Sequence, residues 1–313
     1  MPNHQEILKT FDINSLPNLD IVVLGALELF QSTTLPKIAI PFQKPIVVGS
    51  GNAAATGQIL FGDVNAVMAD ESTFSQKLAQ TSDCDGVVII SASGGKHAPI
   101  IAAKAAKAGK NIALITNTPN SPAAQQERGN DAFSEYVLPK NREPYTYNTS
   151  TYLGMILAKT GEDAEAIQQY IETVVDGVSL PDFSNYQKYF VIVPPEFSNV
   201  ARMLQIKFIE LFGREIARDV ETSEYMRHAV TVVPSDNELF ISFGEENKTW
   251  GKPENRLFIP LPEGAGYGAM IAVGYYIVGK IQAAYPHLFK DNIAAYTTQV
   301  SELFGSAILP IVE

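Results

Sequence analysis

Three short stretches hold the residue types that do chemistry. Ser91-Ala92-Ser93-Gly94-Gly95-Lys96 combines two hydroxyls, two glycines and a lysine directly after an apolar run. Glycines let backbone approach a ligand closely, and successive exposed N–H groups at a helix start form an anion site. Gly49-Ser50-Gly51-Asn52 offers a second turn of the same kind. A phosphate is the natural occupant; a helix capped by Ser93 explains one serine but not the whole run. Further along, Lys207 and Glu210 stand at i and i+3, where helical side chains share a face, and His228 follows in the next polar segment. A buried glutamate and a histidine are groups that move protons near neutral pH. The same lysine–glutamate spacing is also that of an ordinary surface ion pair, and a lone loop histidine is ordinarily polar surface. Glu143 precedes Asn148-Thr149-Ser150, where Asn148 or Thr149 can cap a helix. His97 lies one residue past the serine–glycine loop and faces either ligand or solvent.

These residues need elements to position them. Apolar runs predict strands at Pro45–Gly49, Val64–Ala69, Gly86–Ile90 and Asn111–Thr116, with helices between them from about Ala53, over Ser72–Gln80 and closing at Gly109. Short apolar strands alternating with helices make a parallel sheet covered on both faces, and its ligands sit at the carboxyl ends of the strands. Both glycine-bearing turns fall at such ends. Residues 14–33 read as an amphipathic helical lead-in, Ala132–Leu138 as a further strand, and Asn148–Val175 as two helices. The polar stretch Asp176–Gln187 is a linker, after which strands at Tyr189–Val193, Glu238–Phe243 and Arg256–Leu261, a helix ending at about Gly213 and a helix over Gly266–Ala284 repeat the order. The expected organisation is α/β, two doubly wound parallel-sheet domains in tandem, residues 1–180 and 181–313.

Bulk properties narrow the function. The 313 residues are 46% hydrophobic and 18% charged, enough to bury two cores. A net charge of −11 argues against nucleic acid or an anionic membrane as partner, but not against a small anion held by backbone N–H groups. One cysteine, Cys84, makes no intrachain disulfide, and no Cys/His spacing suggests a metal. The N-terminal residues lack an apolar signal core and the longest apolar stretch, Gly268–Val278, is too short to span a bilayer, so the cytoplasm is the expected location.

Gly49-Ser50-Gly51-Asn52-Ala53-Ala54 also fits G-x-G-x-x-A, and Asp70 ends the second strand, as in a dinucleotide fingerprint. That reading leaves the 91–96 loop unexplained. The two loops together resemble the sugar isomerase (SIS) domain, whose glycine-rich first turn and S-x-S-G-x-T second loop bind the phosphate of a sugar phosphate. Over the whole chain the pattern is similar to the double-SIS layout of the isomerase part of glucosamine-6-phosphate synthase and of phosphosugar isomerases and deglycases. Two positions depart from it: Ala53 stands where the family usually has serine, and Lys96 where it has threonine.

The resemblance implies a phosphosugar isomerase, acting on a hexose or hexosamine phosphate by proton transfer between adjacent carbons or by the related deamination or deglycation. The alternative is a sugar-phosphate sensor without turnover. It implies Gly49, Ser50, Gly51, Asn52, Ser91, Ser93, Gly94, Gly95 and Lys96 at the phosphate, with Glu143 and Ser150 near the sugar. Glu210 is then the base, His228 the ring-opening group and Lys207 the group that steadies the enediolate or holds Glu210. The Glu210–His228 interval is longer than the family's by a short insertion. In the second half Pro194-Pro195-Glu196 and Gly244-Glu245-Glu246 suit no phosphate, so one phosphate site is expected. No metal, nucleotide or redox cofactor is implied. Because the family's histidine reaches a neighbouring subunit, a homodimer or higher homo-oligomer is expected.

Overall fold

The computed structural model describes residues 3–313. The strands, in chain order, are β1 (Pro45–Val48), β2 (Val67–Ala69), β3 (Gly86–Ile90), β4 (Asn111–Thr116), β5 (Phe133–Val137), β6 (Glu143–Pro144), β7 (Lys188–Val193), β8 (Ala217–Thr222), β9 (Glu238–Phe243), β10 (Arg256–Ile259) and β11 (Ile311–Val312). The helices are α1 (His4–Thr10), α2 (Leu19–Ser32), α3 (Asn52–Phe61), α4 (Phe74–Gln80), α5 (Ala98–Lys107), α6 (Pro122–Gln126), α7 (Thr149–Thr160), α8 (Ala164–Tyr170), α9 (Ala201–Phe212), α10 (Met226–Ala229), α11 (Tyr267–Ala284), α12 (Pro286–Phe289) and α13 (Ile293–Phe304). The fold is α/β and rests on two parallel sheets. Two compact units hold one parallel sheet each, and the unit with β7–β10 also pairs β6 with β11 antiparallel. One comprises Thr33–Lys140 with Thr151–Gly161, the other Met1–Ser32, Asn141–Ser150 and Glu162–Glu313.

In the first-sheet unit the strand order is β2-β1-β3-β4-β5, all parallel. Chain direction across the sheet reverses between β1 and β3, which makes the crevice above their carboxyl ends the ligand position of a doubly wound sheet. One face carries α4, α5 and α6: Phe74, Ile101, Ala102 and Ala123 pack against Ile46, Val48, Ile89 and Leu114. On the other face α3 lies so close that a methyl group on Gly57 would stand 2.9 Å from Val47 and 3.2 Å from Ile90. The runs expected as buried strands therefore form them, because continuous β-branched and apolar residues suit a strand covered on both sides. Strand β1 ends one residue early and β5 is one residue shorter at each end than expected, and the second strand is shortened most. It begins at Val67, and the preceding residues form a turn in which Ala66 N–H donates to Val64 O.

In the second-sheet unit the order is β10-β9-β7-β8, again parallel. The inner face buries Tyr189 against Phe208 of α9, and Leu204 of α9 meets Gly274 of α11. The helical lead-in belongs here. Its helix starts only at Leu19, and α2 packs on α8 and α11. A methyl group on Gly279 would collide with the Asp20 backbone, so α2 and α11 are in close backbone contact. The compact units thus do not follow the expected division at residue 180. Strand β8 was not foreseen either: Ala217-Arg-Asp-Val-Glu-Thr222 is mostly polar, with only Val220 and Thr222 buried, as suits an edge strand with one face open to water. Helix α1 was likewise not anticipated.

Candidate functional site

The two glycine-bearing turns do meet. Gly49, Ser50 and Ala53 after β1, and Ser91, Ser93, Gly95, Lys96 and His97 after β3, line one cleft of about 180 Å³, with Glu71 and Tyr152 completing its wall. That volume is below the ~300–1,000 Å³ of a pocket for a drug-sized ligand, so it suits an anionic head group rather than a whole dinucleotide. Gly51, Asn52 and Gly94 shape the turns but do not line the cleft.

The loop after β3 is built in place. Ser91 N–H donates to Ile115 O, and Gly94 N–H donates to the Ser91 hydroxyl at 3.1 Å. Ala92 O accepts from the Thr116 and Thr118 hydroxyls at 2.9 and 3.1 Å, and Gly94 O accepts from Ala123 N–H. Gly94 is required on two counts: its φ is +57°, and a methyl group would lie 2.4 Å from Ser121. Lys96 has φ +49°, a left-handed conformation that costs an L-residue roughly 1–2 kcal/mol. Such strain marks positions that the surroundings hold for a purpose. His97 Nε2 lies 4.0 Å from Glu71 Oε1. Ala53 is buried in the cleft wall and offers no hydroxyl.

Asp70, the acid of the dinucleotide reading, is engaged elsewhere. One of its oxygens accepts from Ser72 N–H, Thr73 N–H and the Thr73 hydroxyl, in the turn that precedes α4. Those bonds, Thr73's foremost, hold its carboxyl below the usual carboxylate range.

In the second-sheet unit Lys207 and Glu210 form the expected pair on α9, Nζ to Oε2 at 2.8 Å. Lys207 is fully buried, and its ammonium also donates to Thr146 O and Tyr147 O. It is therefore a tie between α9 and the 143–150 loop, and all three donors are accounted for within the fold. That loop is strained: Thr146 has φ +77° and Asn148 φ +47°, and the former is a genuine outlier for a β-branched residue. Glu143 is buried at the start of the loop. Its carboxylate accepts from Thr149 N–H at 2.6 Å and Ser150 N–H at 2.7 Å, so it caps α7 itself, where Asn148 or Thr149 was the expected cap. Burial pushes its pKa up, opposed by the Ser150 and Thr149 donors and by the charge of Lys207. The Ser150 hydroxyl accepts from Asn141 N–H.

Glu210 itself opens onto a mainly apolar cleft of about 520 Å³ whose walls include Thr146, Ile209, Leu288, Phe289 and Tyr296. His228 does not line that cleft; it is exposed on the four-residue helix α10. Sequence reasoning missed Glu71 and Tyr152. The first adjoins Asp70 at a strand end and was legible in principle; the second carries no local signal. Among the described residues no group of three or more His, Cys, Asp or Glu could hold a metal ion, and no helix is long and apolar enough to cross a membrane.

No protein-family model and no curated protein matches the sequence. Solved structures match over most of it. Tagatose-6-phosphate ketose/aldose isomerase from Escherichia coli superposes with a TM-score of 0.58 at 14% identity, covering 92% of this chain and 92% of that one. Glucosamine-6-phosphate deaminase from Thermotoga maritima gives 0.55 at 13%, covering 88% and 94%. The C-terminal domain of glucosamine-fructose-6-phosphate aminotransferase from Francisella tularensis gives 0.55 at 12%, covering 90% and 98%. The chain has the fold of the phosphosugar isomerases. This settles the architecture expected of the double-SIS pattern and leaves the chemistry to the residues above.

Proposed function

We propose that the chain is a phosphosugar enzyme that moves a proton between adjacent carbons of a hexose or hexosamine phosphate, by isomerisation or the related deamination or deglycation. The observation that carries this is the cleft above β1 and β3, where Ser50, Ser91, Ser93 and Lys96 converge beside two helix starts. Backbone N–H groups and the α5 N-terminus favour a phosphate there. Glu210 is the base in this reading, and Lys207 is a positioning residue: with its ammonium spent on Glu210 and two carbonyls, it fixes the carboxylate instead of touching the sugar. Glu143 and Ser150 act likewise, by holding the loop. His228 is the group that a second copy of the chain would contribute to ring opening, which makes a homodimer the smallest active form. The proposal places the enzyme in the cytoplasm and needs no cofactor.

The test is binding followed by turnover. A sugar phosphate at ~100 times its dissociation constant should stabilise the fold by about 2.7 kcal/mol in a thermal-shift assay, whereas NAD and NADP should not. Glu210→Gln should keep that binding and lose turnover. Two observations favour a sensor instead: Ala53 removes a hydroxyl from the cleft, and His228 lies away from Glu210's cleft. Binding by the wild-type chain without turnover on any hexose or hexosamine phosphate would decide for that reading.

A further inference from the structure

The outer face of the second sheet lacks the helix layer that the first sheet has. With the order β10-β9-β7-β8, right-handed crossovers put the β8–β9 and β9–β10 connections on the face opposite α9. The first of these carries only the four-residue α10, and the second only a 3-10 turn at Pro253–Asn255. The register sets Asp219, Phe190 and Phe240 side by side across that face, with Glu238 two residues before Phe240 on the same strand. Phe190 and Phe240 stack at 5.6 Å, 8° from parallel.

A recess of about 500 Å³ opens over this floor, between the 229–235 loop and the 250–252 loop. It lies within the ~300–1,000 Å³ of small-molecule sites. Its aromatic wall is held rigidly. The Arg256 guanidinium donates to the carbonyls of Lys248, Thr249, Trp250 and Gly251, and the Asn247 side chain accepts from Trp250 N–H. Two carboxylates, Asp219 and Glu238, line the recess. Among the described residues neither accepts a hydrogen bond or forms an ion pair, although the cations nearby are otherwise engaged: Lys252 pairs with Asp236 at 2.6 Å, and Lys188 donates to the Ser235 hydroxyl. Burial pushes both carboxyls above their ordinary values, and each is eased by one cation, Arg218 or Lys188.

We infer that this recess is a second binding site, for a small organic cation with an apolar body. Trp250 receives the body above a floor formed by the buried Phe190 and Phe240, and Asp219 and Glu238 receive the ammonium. Aromatic faces attract ammonium groups through their negative quadrupole face, and the attraction grows when the site is partly dry. A cationic ligand supplies the opposite charge that no ion pair gives these two carboxylates, and the volume of the recess is that of a small-molecule site. The site stands whether or not the phosphosugar reading does.

Trp250 is the only tryptophan of the chain, so its fluorescence reports on this recess alone. Benzyltrimethylammonium chloride, titrated at constant ionic strength, should change that fluorescence saturably with a dissociation constant of about 1 mM or below. Neutral benzyl alcohol and sodium chloride should not. Asp219→Asn with Glu238→Gln should weaken the binding at least ~10-fold at an unchanged circular dichroism spectrum. In the unmodified chain, raising salt from roughly 20 to 500 mM should weaken it as well. The inference is overturned by no saturable change up to ~10 mM, by an equal response to benzyl alcohol, or by undiminished binding in the double variant. A response to a cationic amphipathic peptide with none to the small cation would overturn it in favour of a macromolecular partner.

Discussion

The two sheets treat the positive end of a helix in opposite ways. In the first-sheet unit the turns ahead of α3 and α5 open into a cleft, lined by hydroxyls and a lysine. In the second-sheet unit the glycine-rich start of α11 is already occupied: the Glu162 carboxylate accepts from Gly266, Gly268 and Ala269 N–H at 3.0, 2.6 and 2.9 Å. A methyl group on Gly266 would sit 2.6 Å from that carboxylate. The same local design, glycines leading into a helix, therefore makes an open anion site in one unit and an internal cap in the other. A glycine-rich helix start does not by itself identify a ligand site; what else reaches it decides.

The sharpest way to break this comparison is to remove the internal ties of the second-sheet unit. Lys207→Met removes the donor that Glu210 and the carbonyls of Thr146 and Tyr147 share, and leaving a buried acceptor unsatisfied costs about 1–3 kcal/mol. Urea unfolding should show that loss; one below ~1 kcal/mol would mean that the lysine is not the tie described. Glu162→Gly should cost about 1–2 kcal/mol, as for other caps in favourable geometry. It should also create what the first sheet has naturally, an open anion site, so inorganic phosphate should raise the midpoint of Glu162→Gly by more than that of the parent chain. Equal responses in the two would show that the α11 start cannot host an anion.

Lys96 sharpens the other side. Lys96→Gly relieves a left-handed residue and should raise stability by roughly 1 kcal/mol. If the strain serves phosphate binding, the same variant should bind glucose 6-phosphate about 10-fold more weakly by calorimetry, a difference of ~1.4 kcal/mol. A variant that is more stable and binds equally well would separate the strain from the ligand.

Much of the first-sheet unit was legible because its signals are local. Gly86–Ile90 and Asn111–Thr116 announce buried strands by composition, and the loops between strand and helix follow by position. The meeting of those loops was legible too, since the sheet order follows from the family resemblance. The tie of Lys207 to the 143–150 loop and the capping by Glu143 and Glu162 were not, for a physical reason. Lys207 bonds to carbonyls 60 and 61 positions away, and Glu162 caps a helix 104 residues downstream. No spacing rule covers such pairs, and the i, i+3 rule that exposed Lys207 and Glu210 says nothing about burial. The thin covering of the outer face of the second sheet was also hidden. Phe190 and Phe240 are core positions, buried with Met226 of α10 and against Val230 and Trp250, and only the shortness of the 223–237 and 244–255 connections hints that no full helix layer lies over them.

The smallest expected effect concerns Glu143. Burial raises its folded-state pKa above the ordinary 4.5, so the folded chain holds this proton more tightly than the unfolded chain. The sign follows: the contribution is fully present below the unfolded value and is lost as pH rises through the folded one, with a slope of at most about 1.4 kcal/mol per pH unit. Glu135, Asp219 and Glu238 are shifted in the same direction, so the slope of the parent chain is shared among them. The difference between the parent chain and Glu143→Gln isolates the buried group. That difference, from thermal melts at closely spaced pH values, should change as pH rises from ~4.5 through the raised folded-state value and be flat below and above that window. A difference independent of pH throughout would mean that the donors from Thr149 and Ser150 and the charge of Lys207 cancel the cost of burial, and that this loop is held by geometry alone.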